Sequence, residues 1–433
     1  MSGRTSARTL SIAGTALAAL LITAPAAVPA AAEPAGSRDD AIGGAALQTA
    51  FEGLHDAGMP AVYGALSDDG ERWSGAAGTA ALGSERPALP NFRHRVASVT
   101  KSFVAATLLR LAARGEVDLD APVGDYLPEV VPGERGQAIT VRMLLNHTSG
   151  INDLVSSAFP SLNELSVADL DRYRFRTVAP EQLAAWGLAM PPVGEPGVAP
   201  GVYSNTNYVL AGLVIEAVTG RTAESVITEE VIRPAGLRHT YFPENRPRIR
   251  GPHAGAYESM FQTLVPPRDY STYNVSYIWM AGDLVSTASD LTRFYRALAD
   301  GEILAEEQLA EMRTTVPVNA GGVEMPYGLG LMAYDTICGR YWGHNGGLFG
   351  YGTDAGAHES DDRAFAFGSN LTRHNALDEN GVPQPHPIDA AFGPVAMALF
   401  CPPGAQPEDV RPLLAEGTAS PLLGGPSIDA RLP

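Results

Sequence analysis

The sequence predicts a mixed α/β (α+β) fold: an antiparallel sheet flanked by helices, formed from the N- and C-terminal parts, with a mostly helical subdomain inserted between them. Three observations predict it. Residues 60–80, "PAVYGALSDDGERWSGAAGTA", alternate around Asp68-Asp69-Gly70, the turn signal of a β-hairpin. Strand-like runs crowd the chain between residues 327 and 370. The stretch from about 116 to 275 mixes prolines with segments of helical apolar spacing.

The elements follow in order. Arg4 and Arg8 precede an apolar, alanine-rich run from Leu10 to Ala24, and Ala30-Ala31-Ala32 reads as a cleavage site before Glu33. Residues 1–32 are therefore expected to be a signal peptide, and the chain to be secreted to the extracellular, cell-wall compartment. Pro25 and Pro29 interrupt the end of the apolar run and no basic stop-transfer cluster follows, so no integral membrane span is expected after cleavage. The main domain should cover residues 33–402, after a flexible start at 33–41. Apolar spacing predicts a helix from Ile42 to about Ala57, ahead of the hairpin. "SVTKSFVAATLLRLAARG" predicts another, with Ser98 at its start, a core face at Val104, Leu108, Leu109 and Leu111, and Gly115 to stop it. Within the helical insert, "SNTNYVLAGLVIEAVTG" ends at Gly220, and beyond the insert "TASDLTRFYRALADG" ends at Gly301. The runs "YGLGLMAY", "RYWGHNGG", "YGTDAGAH" and "AFAFGSN" read as strands, and "PIDAAFGPVAMALF" as a last helix before Cys401. Residues 403–433 are rich in proline and glycine without apolar periodicity, which predicts a disordered or removable tail.

Composition narrows the function. Of 433 residues, 45% are apolar, enough for a large core, and 30 basic against 48 acidic residues give a net charge of −18. That balance disfavours nucleic acid and anionic membrane surfaces as partners. Cys338 and Cys401 are the only cysteines. In an exported chain they would form one disulfide, tying the C-terminal strand region to the final helix. A metal site is disfavoured because Cys338 has only His344 near it and Cys401 has no neighbouring ligand.

One composition detail points to chemistry. Lys101 is the only lysine, beside 29 arginines. An arginine stays charged, whereas a desolvated lysine can lose its proton and serve as a base. Ser98 lies three residues earlier, so a helix places both side chains on one face, with the helix dipole favouring negative charge at the serine oxygen. A neutral lysine there could take the serine proton, the Ser-Lys form of nucleophilic catalysis. Tyr203 and Asn205, in "PGVYSNTNY", are a second candidate pair. A phenol beside a lysine deprotonates more easily, and an amide can hold a substrate carbonyl and fix the lysine. The competing reading is a turn with a helix N-cap. In "WGHNGG", His344, Asn345, Gly346 and Gly347 form a third motif, whose glycines either admit substrate backbone or mark a bulge.

Taken together, the order and spacing of these motifs resemble the class C β-lactamase and serine D-alanyl-D-alanine carboxypeptidase family, a β-lactamase/transpeptidase-like fold. "FRHRVASVTKSFVAATLLRLAARGEVDLDAPVGDYLP", "ITVRMLLNHTSGI" and "IRPAGLRHTYF" extend the likeness over about residues 42–401. The resemblance implies that Ser98 is the nucleophile forming an acyl-enzyme, and that Lys101 and Tyr203 share acid and base duty. Asn205 would position the substrate amide, and His344 would take the electrostatic place of a lysine. Backbone N–H groups of Ser98 and Gly347 would form the oxyanion hole. It implies no cofactor and no metal. Substrates would be small peptides or esters, with peptidoglycan stem peptides and β-lactams among them. His147 in "LLNHTSG" and His94 are expected to be structural.

Two departures bear on specificity. Asn345 stands where the family has threonine or serine, and no arginine lies between Met325 and Cys338 to pair a substrate carboxylate, Arg340 being the nearest. The first expectation is a D-alanyl-D-alanine carboxypeptidase-type hydrolase. Alternatives are an esterase or class C-like β-lactamase on the same scaffold, or a non-catalytic cell-wall-binding or sensor protein.

Overall fold

The computed structural model describes residues 42–404; the expected signal peptide and nearly all of the expected tail lie outside the described residues. Helix α1 (Gly44–Asp56) buries Leu47, Phe51 and Leu54. Strands β1 (Ala61–Asp68) and β2 (Glu71–Gly78) pair antiparallel from Ala61↔Gly78 to Asp68↔Glu71. Asp69 and Gly70 both have positive φ, 44° and 78°, the two-residue turn whose twist suits a hairpin.

The remaining principal elements are α2 (Thr100–Ala113), β3 (Gly201–Val202), α3 (Asn205–Thr219), α4 (Ala288–Ala299), β4 (Val316–Ala320) and β5 (Val323–Tyr327). They are followed by β6 (Met332–Thr336), β7 (Gly339–Leu348), β8 (Tyr351–His358), β9 (Ala364–Ser369) and α5 (Pro387–Phe400). One nine-stranded sheet runs β2-β1-β9-β8-β7-β6-β5-β4-β3, antiparallel except for the β3–β4 pair. The β1–β9 pairing, Val62↔Ser369 to Ser67↔Ala364, joins the two ends of the chain.

Side-chain alternation divides the two faces. On β9, Phe365 and Phe367 enter the core shared with Leu47 and Phe51 of α1 and Ile388, Phe392 and Leu399 of α5. Ala364 and Ala366 turn the other way, small enough for α4 to lie against β8 and β9. Between β2 and α4 the chain is mostly short helices, among them Val141–Leu145, Ala168–Tyr173, Pro180–Ala189 and α3. Helix α2 runs through this body with every residue from Thr100 to Leu109 buried, as expected of a helix apolar on all sides. Its Ser102 hydroxyl donates to the Gly330 carbonyl at 2.7 Å and Thr107 to Phe103 at 2.9 Å, so neither buried hydroxyl is left without a partner. Among the described residues no helix is long and apolar enough to cross a membrane.

Three details differ from the expectations. The α-helix starts at Thr100, and Ser98 sits in the 3₁₀ turn Ala97–Val99 before it. "YGLGLMAY" is not one strand: the Gly328 N–H donates to Leu331 O, closing a turn between β5 and β6. The β4–β5 hairpin, at residues 316–327, is an addition to the strands expected from the sequence. Cys338, in the β6–β7 turn, and Cys401, after α5, are joined by a disulfide with Cα atoms 5.4 Å apart.

Candidate active site

The turn carrying Ser98 is held on both sides. Residues Arg93–Arg95 pair antiparallel with Val285–Thr287, and the Val96 N–H donates to Leu284 O at 3.0 Å. Thr100 Oγ1 donates to Ala97 O at 2.7 Å and accepts from the Leu284 N–H at 3.2 Å, closing the turn. Ala97 is left-handed, φ 52°, a conformation that costs a non-glycine residue about 1–3 kcal/mol and persists only where the surroundings impose it. Sequence reasoning missed Thr100; its role rests on a partner 184 residues away, Leu284.

Strand β7 crosses this turn. A Cβ on Gly346 would lie 2.3 Å from Val96 O and 2.9 Å from Ser98 N. Glycine is required there because the turn carrying Ser98 presses on it, a closer partner than the substrate backbone expected from the sequence. The crossing sets β7 against the Ser98 N–H, where the expected oxyanion pair with the Gly347 N–H would form. Strand β6 pairs with β7 over Gly339–Gly343, and His344–Leu348 pair with β8.

Lys101 is completely buried, and its Nζ donates to Ser98 Oγ at 3.0 Å, Asn205 Oδ1 at 2.8 Å and Ala281 O at 2.7 Å. The ammonium also lies 4.9 Å from the centre of the Tyr203 ring and 5.5 Å from that of Tyr208. Burial brings its pKa down to about 7, against an upward pull from Asp153. A large fraction of Lys101 is therefore neutral near pH 7, one hydrogen bond from a half-buried serine.

Tyr203 follows the short β3 strand, its N–H donating to Asn319 O on β4 at 2.9 Å. Burial pushes the phenol well up, and the hydrogen bond with Ser98 offsets this only in part. The expected easing of its deprotonation by Lys101 is thus outweighed, and Tyr203 remains a phenol. Ser204 does not cap α3; its hydroxyl donates to Asn152 O at 3.1 Å. Asn205 contributes both faces of its amide, Oδ1 to Lys101 and Nδ2 to Asp153 Oδ2 at 2.8 Å.

His344 does not take the electrostatic place of a lysine. It is fully buried, and burial, with Lys101 next, brings its pKa down to about 3, so the ring is neutral. Its Nδ1 bonds the Asn345 carbonyl and must carry the proton, so Nε2 accepts from the Tyr327 hydroxyl at 2.9 Å. Asn345 is buried on the same strand, opposite Asp354 of β8. His147 does lie in the site wall, its ring centroid 4.2 Å from that of Tyr203. Its Nδ1 faces the Ser204 N–H and the Asn207 amide, both at 3.2 Å, and burial holds it neutral, so it supports the tyrosine and is no base for Ser98. His94 is buried, and burial takes it down to about 3 against an upward pull from the Phe92 backbone. Arg340 is held by Asp335 in a two-point pair at 2.6 and 2.9 Å.

A family model described as Beta-lactamase matches residues 47–381. A D-stereospecific amidohydrolase from Streptomyces sp. is 37% identical, with a TM-score of 0.71, covering 82% of this chain and 98% of that one. A D-amino acid amidase from Ochrobactrum anthropi, complexed with L-phenylalanine amide, is 25% identical with a TM-score of 0.70, covering 82% and 97%. Among curated proteins, penicillin-binding protein 4* of Bacillus subtilis is 30% identical over 64% of this chain and 60% of its own length. Esterase EstB of Burkholderia gladioli is 36% identical over 37% and 41%. The chain thus spans about half the length of the curated relatives it matches.

Proposed function

The chain belongs to the β-lactamase family of serine hydrolases, and on that premise we propose that it cleaves amide bonds of D-aminoacyl substrates through an acyl-enzyme on Ser98. The observation that carries the reading is the 3.0 Å bond between Ser98 Oγ and a buried lysine whose pKa lies at about 7. Neutral Lys101 takes the Ser98 proton as Oγ attacks the carbonyl carbon. The C–N bond then breaks, and the leaving amine receives a proton from the Lys101 ammonium or the Tyr203 phenol. Water attacks the resulting ester by the same route in reverse, which frees the acid and restores Ser98. Lys101 is the first base, because it titrates near neutrality and the Tyr203 phenol does not.

The D-configured amide is favoured by likeness to a D-stereospecific amidohydrolase and a D-amino acid amidase, each covered almost end to end. A strict carboxypeptidase needs a cation for the substrate's free carboxylate, and Arg340 is engaged by Asp335. D-Alanyl peptides of the cell wall would be the natural source of such amide bonds if the chain is exported as its N-terminal pattern predicts, and β-lactams would acylate the same serine.

In the test, the full-length protein is offered p-nitroanilides of D-alanine and D-phenylalanine, their L forms, a D-alanyl-D-alanine peptide and a p-nitrophenyl ester, each beside Ser98→Ala. Release from the D-anilides, lost in Ser98→Ala, is expected. Faster cleavage of the ester than of any amide would replace the reading with an esterase. Turnover of none, with no penicillin adduct on Ser98 by intact mass, would leave the wall-binding or sensor reading.

A further inference from the structure

Asp153 stands one residue behind the reacting groups, and nothing in the motif pattern points to it. It follows the "HTSG" turn and is partly buried. Its Oδ2 accepts from the Asn205 N–H at 2.7 Å and from Asn205 Nδ2 at 2.8 Å, and its Oδ1 from the Val155 N–H at 2.8 Å. Asn205 is the first residue of the 15-residue helix α3, so the carboxylate also meets that helix at its positive end. Burial raises the carboxyl pKa, while the three N–H groups favour the ionised form.

An asparagine amide can flip, exchanging oxygen for NH₂ with little change of shape. Here the choice matters, because Lys101 Nζ needs an acceptor at 2.8 Å. With Nδ2 committed to Asp153, only Oδ1 can face the lysine. We propose that Asp153 is a positioning residue that fixes the Asn205 amide and supplies, among the described residues, the only anion acting on Lys101, setting where the lysine stands and when it loses its proton. The other groups around Lys101 are Ser98, the Ala281 carbonyl, the rings of Tyr203 and Tyr208, and the neutral histidines His147 and His344. None of these carries negative charge. The proposal deepens the acyl-transfer reading and rests on it for its catalytic consequence.

The single lysine allows a test that does not depend on activity. Protein grown on [ε-13C]lysine gives one side-chain resonance, from Lys101, whose midpoint can be followed with pH. Removing a nearby carboxylate disfavours the ammonium, so Asp153→Asn should lower that midpoint by about one pH unit. The acid limb of kcat/KM should move down with it. Loss of the charge-assisted hold on Asn205 should cut kcat about tenfold to a hundredfold, with KM little changed. Asp153→Glu keeps the charge but misplaces it, so the midpoint should stay near the wild-type value while kcat still falls. An unmoved midpoint or an unchanged kcat in Asp153→Asn overturns the proposal. So does an unchanged kcat in Asp153→Glu, which decides if the asparagine variant does not fold. If the wild type turns over no substrate, the functional reading fails, and the lysine midpoint alone decides the role of Asp153.

Discussion

Replacing Lys101 by methionine tests the base through stability as well as rate. A buried lysine with its pKa at about 7 binds its proton more weakly folded than unfolded, where the value is about 10.4. Between those limits the unfolded chain holds one proton more than the folded chain, so unfolding free energy rises with pH. The slope from this one group is about 1.4 kcal/mol per pH unit, or about 3 kcal/mol from about pH 7.5 to about pH 9.5. Methionine fills a similar volume and removes the term, while every other titrating group is shared by both proteins. Denaturant unfolding at several pH values should therefore show the wild type gaining about 3 kcal/mol on Lys101→Met across that window. At the acid end the variant is relieved of a buried charge, but Asn205 Oδ1 and Ala281 O lose a donor, at about 1–3 kcal/mol each. Its stability there should lie close to that of the wild type. Acylation should be absent at every pH, as it should be in Lys101→Arg, which cannot shed a proton. A difference between the two proteins that is flat with pH would refute the argument, because Lys101 would then titrate as an ordinary lysine.

Other expectations follow from single contacts. Gly346→Ala places a methyl 2.3 Å from a backbone carbonyl, so the turn carrying Ser98 must move; unfolding should come about 1–3 kcal/mol earlier and penicillin adducts should disappear by intact mass. Tyr203→Phe keeps the ring against His147 and removes the phenol, so steady-state assays should show kcat down about 10²- to 10⁴-fold, with the melting temperature little changed. Opening the Cys338–Cys401 disulfide with serine at both positions frees a 63-residue separation, which loop entropy values at about 4 kcal/mol by denaturant unfolding.

Local pattern makes much of this legible. Apolar periodicity locates α1, α2, α3 and α4 to within a few residues, and Asp69-Gly70 marks the first hairpin, because those signals depend on neighbours along the chain. The solitary lysine singles out a candidate base by composition alone. Resemblance supplies the order of Ser98, Tyr203 and His344. What stays hidden depends on contacts between distant residues. Thr100 matters because Leu284 lies over it, Gly346 because Val96 presses on it, and Asp153 because Asn205 folds back against it. The charge state of His344 is hidden for the same reason. A sequence shows a histidine, but whether it is an imidazolium depends on how much water the fold leaves around it.

The buried lysine also lets the protein report its own unfolding. A lysine-specific endoprotease has one target bond in all 433 residues, Lys101–Ser102, in the first turns of a helix whose residues there are completely buried. Fraying at a loop or terminus exposes nothing such a protease can cut. Cutting the bond requires the start of α2 to leave the body of the fold, so accumulation of the two fragments counts molecules in which this buried region has opened.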